Sequence, residues 1–565
     1  MGYRGAEGSL VYNGEVYNYI ELREELAAAG ETFSSRTDTE VLLAALHRWG
    51  PERTLSRLNW MGAFAWLDLA RRRLVLACDA GSEKPLYYCA EPGRIAFASE
   101  IKAILTLMGR KFPLDRDVVG QLLLQGLSDA TTRTLFQGIR RVEAGTWAQI
   151  DLDAPRLELK ASPFQPLAHP GDPSRMRMAD FIEELRSTFL DAVRLRLRSD
   201  VPVGVLLSGG VDSSAIAAVA QALVGRDDAP LLLSAVSNDD RFDESSYIAA
   251  MERHLRRDAH KIVLPSAPET LVAEISEANW FNDAPIASLS ALAHRRLMKR
   301  AKELGITVVL SGQGADESLL GYRKYLGFYL QSLARRGRFL EAACVLAGFI
   351  ANRTVVTDFD LGHARRYLPF LRRRGGGGAG GAPRAIEGPW LRGWEARPLG
   401  LGDGTLADRQ WDDIRHHSVP SLCHYEDRMS MSWGREIRLP FLDFRLVDLL
   451  LRAPDSYKLR RGWTKYAFRK AMARYLPPEV CWRKDKKCFS NPEGEWLKGE
   501  LREAVEDAFS PGSLMCRAGI VRSDALLAMY DRYRRQPPGG AIWHRAIFAP
   551  LSLELWMRRH EGWIA

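Results

Sequence analysis

A glycine-rich turn that carries a carboxylate has the clearest chemistry in this sequence. It reads Ser208-Gly209-Gly210-Val211-Asp212-Ser213 and stands between an apolar run, 201–207, and an apolar helical pattern that begins at Ser214. Glycines let the backbone approach a phosphate closely, and the free N–H groups at a helix N-terminus favour an anion. A carboxylate beside phosphates needs a cation between them, so Asp212 predicts a nucleotide pyrophosphate held with Mg²⁺. No Gly-Lys-Ser/Thr follows, so this is not the Walker pattern.

A second turn of the same kind follows about a hundred residues later. It reads Ser311-Gly312-Gln313-Gly314-Ala315-Asp316-Glu317 and also comes directly after an apolar run, 306–310. Either turn alone could be an ordinary connection between a strand and a helix. Two such turns in one region, each with an aspartate, instead indicate two sides of one nucleotide–metal site.

The elements that must position these turns alternate between strand and helix. From residue 177 onward, a helix is predicted at 181–197 and strands at 203–207, 231–236 and 306–310. Interleaved strands and helices predict a doubly wound parallel sheet, with its ligand at the carboxyl ends of the strands. Beyond residue 325 the pattern is mainly helical.

Residues 1–161 have a different, β-rich pattern. Helices are predicted at 19–29 and 39–49, each ended by a glycine, and Asn13-Gly14 predicts a tight turn. Short strand-like runs predict stacked antiparallel sheets, at 62–67, 73–77, 86–88 and 95–98. A Pro/Gly-rich stretch at 162–176 is interpreted as the linker to a second domain, 177–565.

The bulk composition narrows the class of protein. The chain has 565 residues, 46% of them hydrophobic and 26% charged, as in a soluble globular protein of about two to four domains. No apolar run reaches the ~18 residues of a membrane span, and no signal peptide is recognised, so a cytoplasmic location is expected. The seven cysteines form no Cys-x-x-Cys pair and are expected to be free thiols.

The net charge of +9 raises the question of a nucleic-acid or membrane partner. Arginines and acidic residues alternate along most of the chain, which predicts a solvated basic surface instead, with neither partner. Three arginines, 372–374, run into a glycine-rich segment, 375–381, which is interpreted as a surface insertion.

The two turns resemble motifs of known enzymes. Ser208–Ser213 is similar to the pyrophosphate-binding loop of N-type ATP pyrophosphatases, and Ser311–Glu317 with Gly321-Tyr322 resembles the second signature of glutamine-dependent asparagine synthetases. Further segments that resemble this family are Tyr425–Met431, Glu436–Asp443, Lys465 with Arg469, Arg483–Lys486 with Phe489 and Pro492, and, near the N-terminus, Asn13–Asn18, Thr37–Glu40 and Glu83–Tyr88. The matches extend from residue 12 to about residue 496.

The resemblance implies a fold and a reaction. It implies an α+β N-terminal domain, a partial Ntn-type glutaminase with an αββα sandwich, and an α/β ATP-pyrophosphatase domain with a helical C-terminal part. Aspartate and ATP would form β-aspartyl-AMP and pyrophosphate, and ammonia would then displace AMP. ATP and Mg²⁺ are the implied cofactors, and aspartate, ATP and glutamine or ammonia are the implied small-molecule partners. A homodimer is a further expectation.

The resemblance also assigns roles to residues in the second domain. Asp212 and Asp316 would hold Mg²⁺, and Lys465 would stabilise negative charge during adenylation. Gln313 stands where many members have an acidic residue, which puts that catalytic role in doubt. The nucleotide would be bound by Leu206, Ser208, Gly209, Gly210, Val211, Asp212, Ser213, Val236, Ser311 and Gly312. Asp443 and the pair Glu436 and Arg438 are interpreted as a buried structural framework.

The N-terminal, glutaminase-like domain differs from the family at its first residues. Asn13 and Gly14 match the oxyanion hole, and Glu15 and Asp38 match the residues that recognise the amino-acid part of glutamine. Family members begin with a catalytic cysteine after the initiator Met, whereas residue 2 here is Gly and the first cysteine is Cys78. Because the pocket residues are kept, a start upstream of Met1 is the favoured explanation. The other is an ammonia-dependent enzyme with a relic domain.

Two other functions stay open. Related adenylating enzymes close β-lactam rings, cyclise lasso peptides or amidate another carboxylate, and the carboxylate that triggers ATP–pyrophosphate exchange would distinguish them. A catalytically inactive nucleotide-binding protein is the third hypothesis, and the complete Ser208–Ser213 motif argues against it.

Overall fold

A computed structural model describes most of the chain. It covers residues 1–3, 8–154, 159–164, 167, 176–237, 239, 241, 243–264, 268–354, 384–395, 405–485, 492–537, 540 and 542–565. The glycine-rich segment at 375–381, with the arginines before it, lies outside the described residues. So do Lys486 and Phe489.

The N-terminal part contains two antiparallel sheets. Its strands are β1 (Gly2–Tyr3), β2 (Gly8–Val16), β3 (Trp60–Asp68), β4 (Arg73–Cys78), β5 (Tyr87–Glu91), β6 (Arg94–Ala98), β7 (Ile139–Arg141), β8 (Thr146–Asp151) and β9 (Lys160–Pro163). One sheet has the order β1-β2-β3-β4-β8-β9 and the other β6-β5-β7. The end of β9 extends into the segment that the sequence indicates as linker.

These sheets are sandwiched between helices. The nearby helices are α1 (Tyr19–Ala28), α2 (Asp38–Trp49), α3 (Pro51–Leu55), α4 (Ile101–Met108) and α5 (Arg116–Gly120). Along β3, Phe64 and Trp66 pack towards α1 and α2, whereas Ala63 and Ala65 pack towards the smaller sheet. The alternation follows from the two-residue period of a strand. Because α4 packs on the far side of the smaller sheet, the αββα sandwich is confirmed.

The predicted turn at Asn13-Gly14 is wrong. Both residues lie within β2, where Gly14 is opposite Gly62 of β3. A Cβ at Gly14 would lie 2.2 Å from the carbonyl oxygen of Met61. The glycine therefore allows two strands to approach closely, and strand pairing outweighs the local preference of Asn-Gly for a turn.

The second part is built on a parallel sheet. Its strands are β10 (Val203–Leu206), β11 (Leu231–Val236), β12 (Ala259–Val263), β13 (Val308–Leu310) and β14 (Glu436–Arg438). Their order is β12-β11-β10-β13-β14, and all neighbours run parallel. The helices that accompany them are α6 (Met178–Arg196), α7 (Val211–Val224), α8 (Ser245–Leu255), α9 (Pro268–Asn282) and α10 (Ser290–Glu303). Apolar clusters cover both faces, as expected for a doubly wound sheet.

The direction of the strand order reverses at β10. From β10 the chain continues to β11 and β12 on one side, then returns to β13 on the other. In such sheets the crevice at the carboxyl ends of the strands flanking this reversal is the usual ligand site. The two predicted turns follow β10 and β13, so they border that crevice.

The remaining described helices form the C-terminal part. They are α11 (Ala315–Ser318), α12 (Arg323–Arg335), α13 (Phe339–Ala351), α14 (Leu406–Asp412), α15 (Val419–Met431), α16 (Phe444–Arg452), α17 (Asp455–Lys458), α18 (Tyr466–Met472), α19 (Pro478–Cys481), α20 (Glu493–Trp496), α21 (Arg502–Ala508), α22 (Leu514–Arg517), α23 (Ser523–Arg535) and α24 (Arg545–His560). Helix α24 shares one apolar core with α4 and α9. None of the helices in the described ranges is both long and apolar enough to cross a bilayer.

Buried charges join the two parts. Lys84 lies 2.8 Å from Asp427, and both side chains are almost fully buried. Asp443 is completely buried and accepts hydrogen bonds from Arg196 at 3.0 Å and Asn59 at 2.8 Å. Because Asn59 and Lys84 belong to the N-terminal part, the contact between the parts is specified by ion pairs and hydrogen bonds.

Candidate active site

The turn after β10 is held by its own serines. The Ser208 amide donates to Oγ of Ser213 at 3.1 Å, and the two hydroxyl oxygens lie 2.9 Å apart. Gly209 has φ of 69°, and a Cβ there would lie 2.6 Å from Cβ of Tyr247. The turn leads into α7, so its backbone amides sit at the positive end of a helix dipole. This geometry suits an anionic ligand.

Two aspartates meet a lysine beside this turn. Nζ of Lys465 lies 2.5 Å from Oδ2 of Asp212 and 2.7 Å from Oδ1 of Asp316. A Cβ at Gly312 would lie 3.4 Å from Cβ of Asp212, so the turns after β10 and β13 touch. The structure therefore brings together the two aspartates and the lysine that the sequence indicates.

The environment keeps Lys465 charged. Its residue is 3% exposed, and burial alone would lower its pKa, but the carboxylates of Asp212 and Asp316 outweigh burial and raise the pKa. Lys465 precedes α18 with φ of 57° and ψ of 28°, a left-handed conformation. Gly321 completes the packing, because a Cβ there would lie 2.0 Å from Oδ1 of Asp316 and 2.3 Å from Cε of Lys465.

The carboxylates can be tested as ligands for Mg²⁺. Oδ1 of Asp212 is buried and has no hydrogen-bond partner among the described residues. Within the same residues there is no group of three or more His, Cys, Asp and Glu side chains suited to a metal ion. Mg²⁺ commonly takes one or two carboxylates and completes its shell with water and substrate phosphates. Asp212 and Asp316 fit that pattern.

Four more of the residues expected to bind the nucleotide lie along the same edge of the sheet. Leu206 and Val236 are the last residues of neighbouring strands, and both are half-buried. Ser311 and Gly312 directly follow β13, which pairs with the other side of β10. These four residues thus share the crevice border with Ser208–Ser213.

Arg483 contacts the turn after β10, although its sequence motif assigned it no role. Its Nη1 donates to the carbonyl oxygen of Gly209 at 2.9 Å, and Nη2 lies 2.9 Å from Oε1 of Glu244. The guanidinium also lies 4.0 Å from the ring centroid of Tyr247. Arg483 therefore fixes the glycine turn, and only its place in a charged motif hinted at this.

Gln313 and Glu426 both lie at the turn after β13. Nε2 of Gln313 donates to the hydroxyl of Tyr425 at 3.1 Å. The neighbouring Glu426 is buried and hydrogen-bonded to Ser311; burial raises its pKa to about 7, against the smaller lowering effect of Ser311. Sequence reasoning missed Glu426 as a functional candidate, since a glutamate on a helix is ordinarily solvated.

The predicted glutamine-pocket residues cluster at the end of β2. Oδ2 of Asp38 accepts the Val16 amide at 2.9 Å, and Asn13 donates to Oγ of Ser99 at 3.3 Å. Glu15 lies 3.4 Å from Arg438 of the second part. Burial raises the pKa of Glu15 to about 7, although Arg438 opposes the rise.

Cys78 does not have the properties of a reactive thiol. It is the last residue of β4 and completely buried, and its sulfur lies 3.3 Å from the carbonyl oxygen of Lys84. Burial raises its pKa well above the ordinary thiol range. A thiol that resists ionisation is a poor nucleophile.

Comparisons with known proteins cover both parts. Residues 184–558 match the asparagine synthase family, and residues 1–159 match the glutamine amidotransferase domain family. A putative glutamine-hydrolyzing asparagine synthetase of Mycobacterium tuberculosis is 31% identical over 97% of this chain and 84% of that protein. A Bacillus subtilis glutamine-hydrolyzing asparagine synthetase is 31% identical over 88% and 78%. Amidase chry2 of Gibberella zeae is 26% identical over 88% and 79%.

Proposed function

Because the chain belongs to the asparagine synthase family, we propose that it makes asparagine from aspartate by way of β-aspartyl-AMP, with release of pyrophosphate. The chain is a ligase of the asparagine synthetase type, and ATP is a substrate of that family. The observation that carries the proposal is the placement of Lys465 between Asp212 and Asp316 at the carboxyl edge of the parallel sheet.

The charges at this edge suit adenylation of a carboxylate. Attack of the aspartate carboxylate on the α-phosphate brings like charges together, so cationic groups must offset the repulsion. Lys465 supplies one fixed positive charge, and the amides of the turn after β10 contact the phosphates. Asp212 and Asp316 would hold Mg²⁺, which when bound stabilises the charge of the pyrophosphate leaving group.

Adenylation is tested by isotope exchange. Aspartate should trigger exchange of labelled pyrophosphate into ATP, and ammonium should then give AMP, pyrophosphate and asparagine in equal amounts. Formation of ADP, or exchange without aspartate, would refute the proposal. Exchange triggered only by a different carboxylate would favour another amide-forming enzyme of the family.

We also propose how nitrogen is supplied. Asn13 and Gly14 form the oxyanion site and Glu15 and Asp38 recognise the amino-acid part of glutamine, as supported by their clustering at the end of β2. The nitrogen donor is glutamine or ammonia, and Cys78, which is completely buried, is not the nucleophile. The domain boundaries proposed are 1–161 and 177–565, supported by the separate family matches.

A further inference from the structure

Glu426 is a buried carboxyl group at the site to which no role has been given. It lies on α15 and is 3% exposed. Its side chain is hydrogen-bonded to Ser311, the first residue after β13. The second carboxyl oxygen, Oε2, is buried and has no hydrogen-bond partner among the described residues. A buried carboxyl oxygen without a partner costs free energy, so it calls for a functional explanation.

The position of α15 places this group between the two parts of the molecule. On one side, Ser311 is followed by Gly312, which packs against Asp212. On the other side, Asp427 of the same helix pairs with Lys84 of the N-terminal part. Helix α15, which carries Glu426, therefore contacts both the adenylation site and the N-terminal part.

The other acidic side chains near the crevice interact with cations. Asp212 and Asp316 both contact Lys465. Glu317 is fully buried, accepts a hydrogen bond from the hydroxyl of Ser418 and interacts with the charge of Lys324, although its Oε2, like that of Glu426, has no hydrogen-bond partner among the described residues. A proton acceptor is needed nonetheless, because ammonia adds to the acyl carbon as a positively charged nitrogen that must lose a proton.

We propose that Glu426 accepts the proton released by the nitrogen nucleophile as it displaces AMP. The inference rests on the proposed function. Ammonia forms the C–N bond with its lone pair, Oε2 of Glu426 takes one proton from the nitrogen, and the C–O bond to AMP breaks with its electron pair leaving on the phosphate. The products are the amide, AMP and a protonated Glu426, which returns its proton to solvent.

The surroundings of Glu426 suit this exchange of a proton near neutral pH. Burial raises its pKa to about 7, Ser311 lowers it, and Asp427 raises it slightly. His294 of α10 hydrogen-bonds to the Glu426 backbone, and burial lowers its pKa to about 4, so it is neutral. Burial raises the pKa values of Cys423 and Tyr425, which therefore stay protonated. Glu426 becomes the ionised acceptor as the pH rises through about 7.

The test separates adenylation from amide formation. In Glu426→Gln, aspartate-dependent ATP–pyrophosphate exchange should stay within about twofold of the wild type, while asparagine formation from ammonia falls about 100-fold, the usual scale of general base catalysis. At a constant concentration of free NH3, the rise of amide formation between about pH 6 and 8 should disappear. Glu426→Asp should recover part of the rate. Hydroxylamine in place of ammonia should restore turnover in Glu426→Gln, with aspartyl hydroxamate and AMP as products, because its adduct loses a proton more readily.

Two other results would overturn the inference. An equal loss of exchange and amide formation in Glu426→Gln would assign the residue to structure, and an unchanged rate and pH profile would assign the proton to another acceptor. Either result overturns the inference while leaving the proposed function intact. Absence of aspartate-dependent exchange in the wild type would instead overturn the proposed function, and the inference with it.

Discussion

Nζ of Lys465 lies 2.5 Å from Oδ2 of Asp212, a residue 253 positions earlier in the chain. Together with Asp316, the group carries two negative charges and one positive charge. The remaining single negative charge attracts a divalent cation, and the sum is then positive, which suits a bound polyphosphate. The lysine thus sets the net charge of the site.

Replacing Lys465 should distinguish its effect on catalysis from its effect on the charge of the site. We expect Lys465→Met to lower the rate of aspartate-dependent ATP–pyrophosphate exchange by about 10²–10³-fold, the scale seen when an electrostatic catalytic group is lost. Two unneutralised carboxylates would remain, so Mg²⁺ without ATP should raise the melting temperature more than it does in the wild type. Lys470→Met, at an exposed position of the same helix, should behave as wild type. Unchanged exchange in Lys465→Met would contradict the assigned role.

The close packing of Gly321 against Asp316 and Lys465 allows a steric test of this ion-pair group. In Gly321→Ala the new methyl group would displace Asp316 or Lys465, because the available distances are 2.0 and 2.3 Å. The exchange rate should fall at least tenfold. Gly327→Ala is the matched control, since nothing lies within 4 Å of a Cβ there and alanine favours a helix by up to ~1 kcal/mol. Full activity in Gly321→Ala would show that the lysine position is uncritical.

Arg483 should act through the glycine turn. Its hydrogen bond to Gly209 and its stacking on Tyr247 fix the loop that is proposed to bind phosphates. We expect Arg483→Ala to raise KM for ATP about tenfold and to change kcat less, while KM for aspartate stays the same. Lys484→Ala, at the exposed neighbouring position, is the control. A selective rise in KM for aspartate would place Arg483 at the other substrate.

The ion pair at Asp443 predicts a pH-dependent stability. Burial alone would raise the pKa of this carboxyl, but Arg196 and Arg445 outweigh burial and lower it to about 2. The stabilisation is present above the ordinary carboxyl pKa of about 4 and is lost as the pH falls towards 2. Asp443→Asn leaves a buried arginine uncompensated and should cost about 3–5 kcal/mol at pH 7.

Urea unfolding checks this expectation. The difference in midpoint between the wild type and Asp443→Asn should shrink as the pH falls from about 4 to 2. Asp448→Asn removes a partly exposed partner of Arg452 on the same helix and should shift the midpoint little. A difference that is independent of pH would rule out the charge of Asp443 as the cause.

Cys78 offers a check on the nitrogen donor. Since its thiol is buried and its pKa is raised, Cys78→Ala should leave the rates with ammonium and with glutamine unchanged relative to the wild type. Asparagine yields with each donor, measured side by side, provide the comparison. A selective loss of glutamine-dependent activity in Cys78→Ala would identify this residue as the nucleophile.

Local patterns predicted the layers well. Short strand-like runs in residues 1–161 indicated the antiparallel sheets, and interleaved strands and helices from α6 onward indicated the parallel sheet. The same reasoning failed at Asn13-Gly14, where pairing with β3 overrides the turn preference of the dipeptide. The turn preference of Asn-Gly concerns two residues, whereas pairing with β3 involves the whole of β2.

The site was predictable only in part for a similar reason. The turns after β10 and β13 were expected to meet because carboxyl ends of parallel strands share one edge. Lys465 was found only by resemblance, since its contact with Asp212 depends on how α18 packs against the sheet. Glu426 and Arg483 gain their significance from burial, which charged residues in a sequence do not reveal.

The backbone of Lys465 has a further consequence. A left-handed conformation costs a residue other than glycine about 1–3 kcal/mol, and Lys465 has φ of 57°. Lys465→Gly would relieve that cost but remove the ammonium group. The same change would leave the carboxylates of Asp212 and Asp316 without their cation, and removal of one partner of a buried ion pair costs about 3–5 kcal/mol, which exceeds the strain relieved. A laboratory selection for thermal tolerance alone would therefore retain this lysine despite its strained backbone.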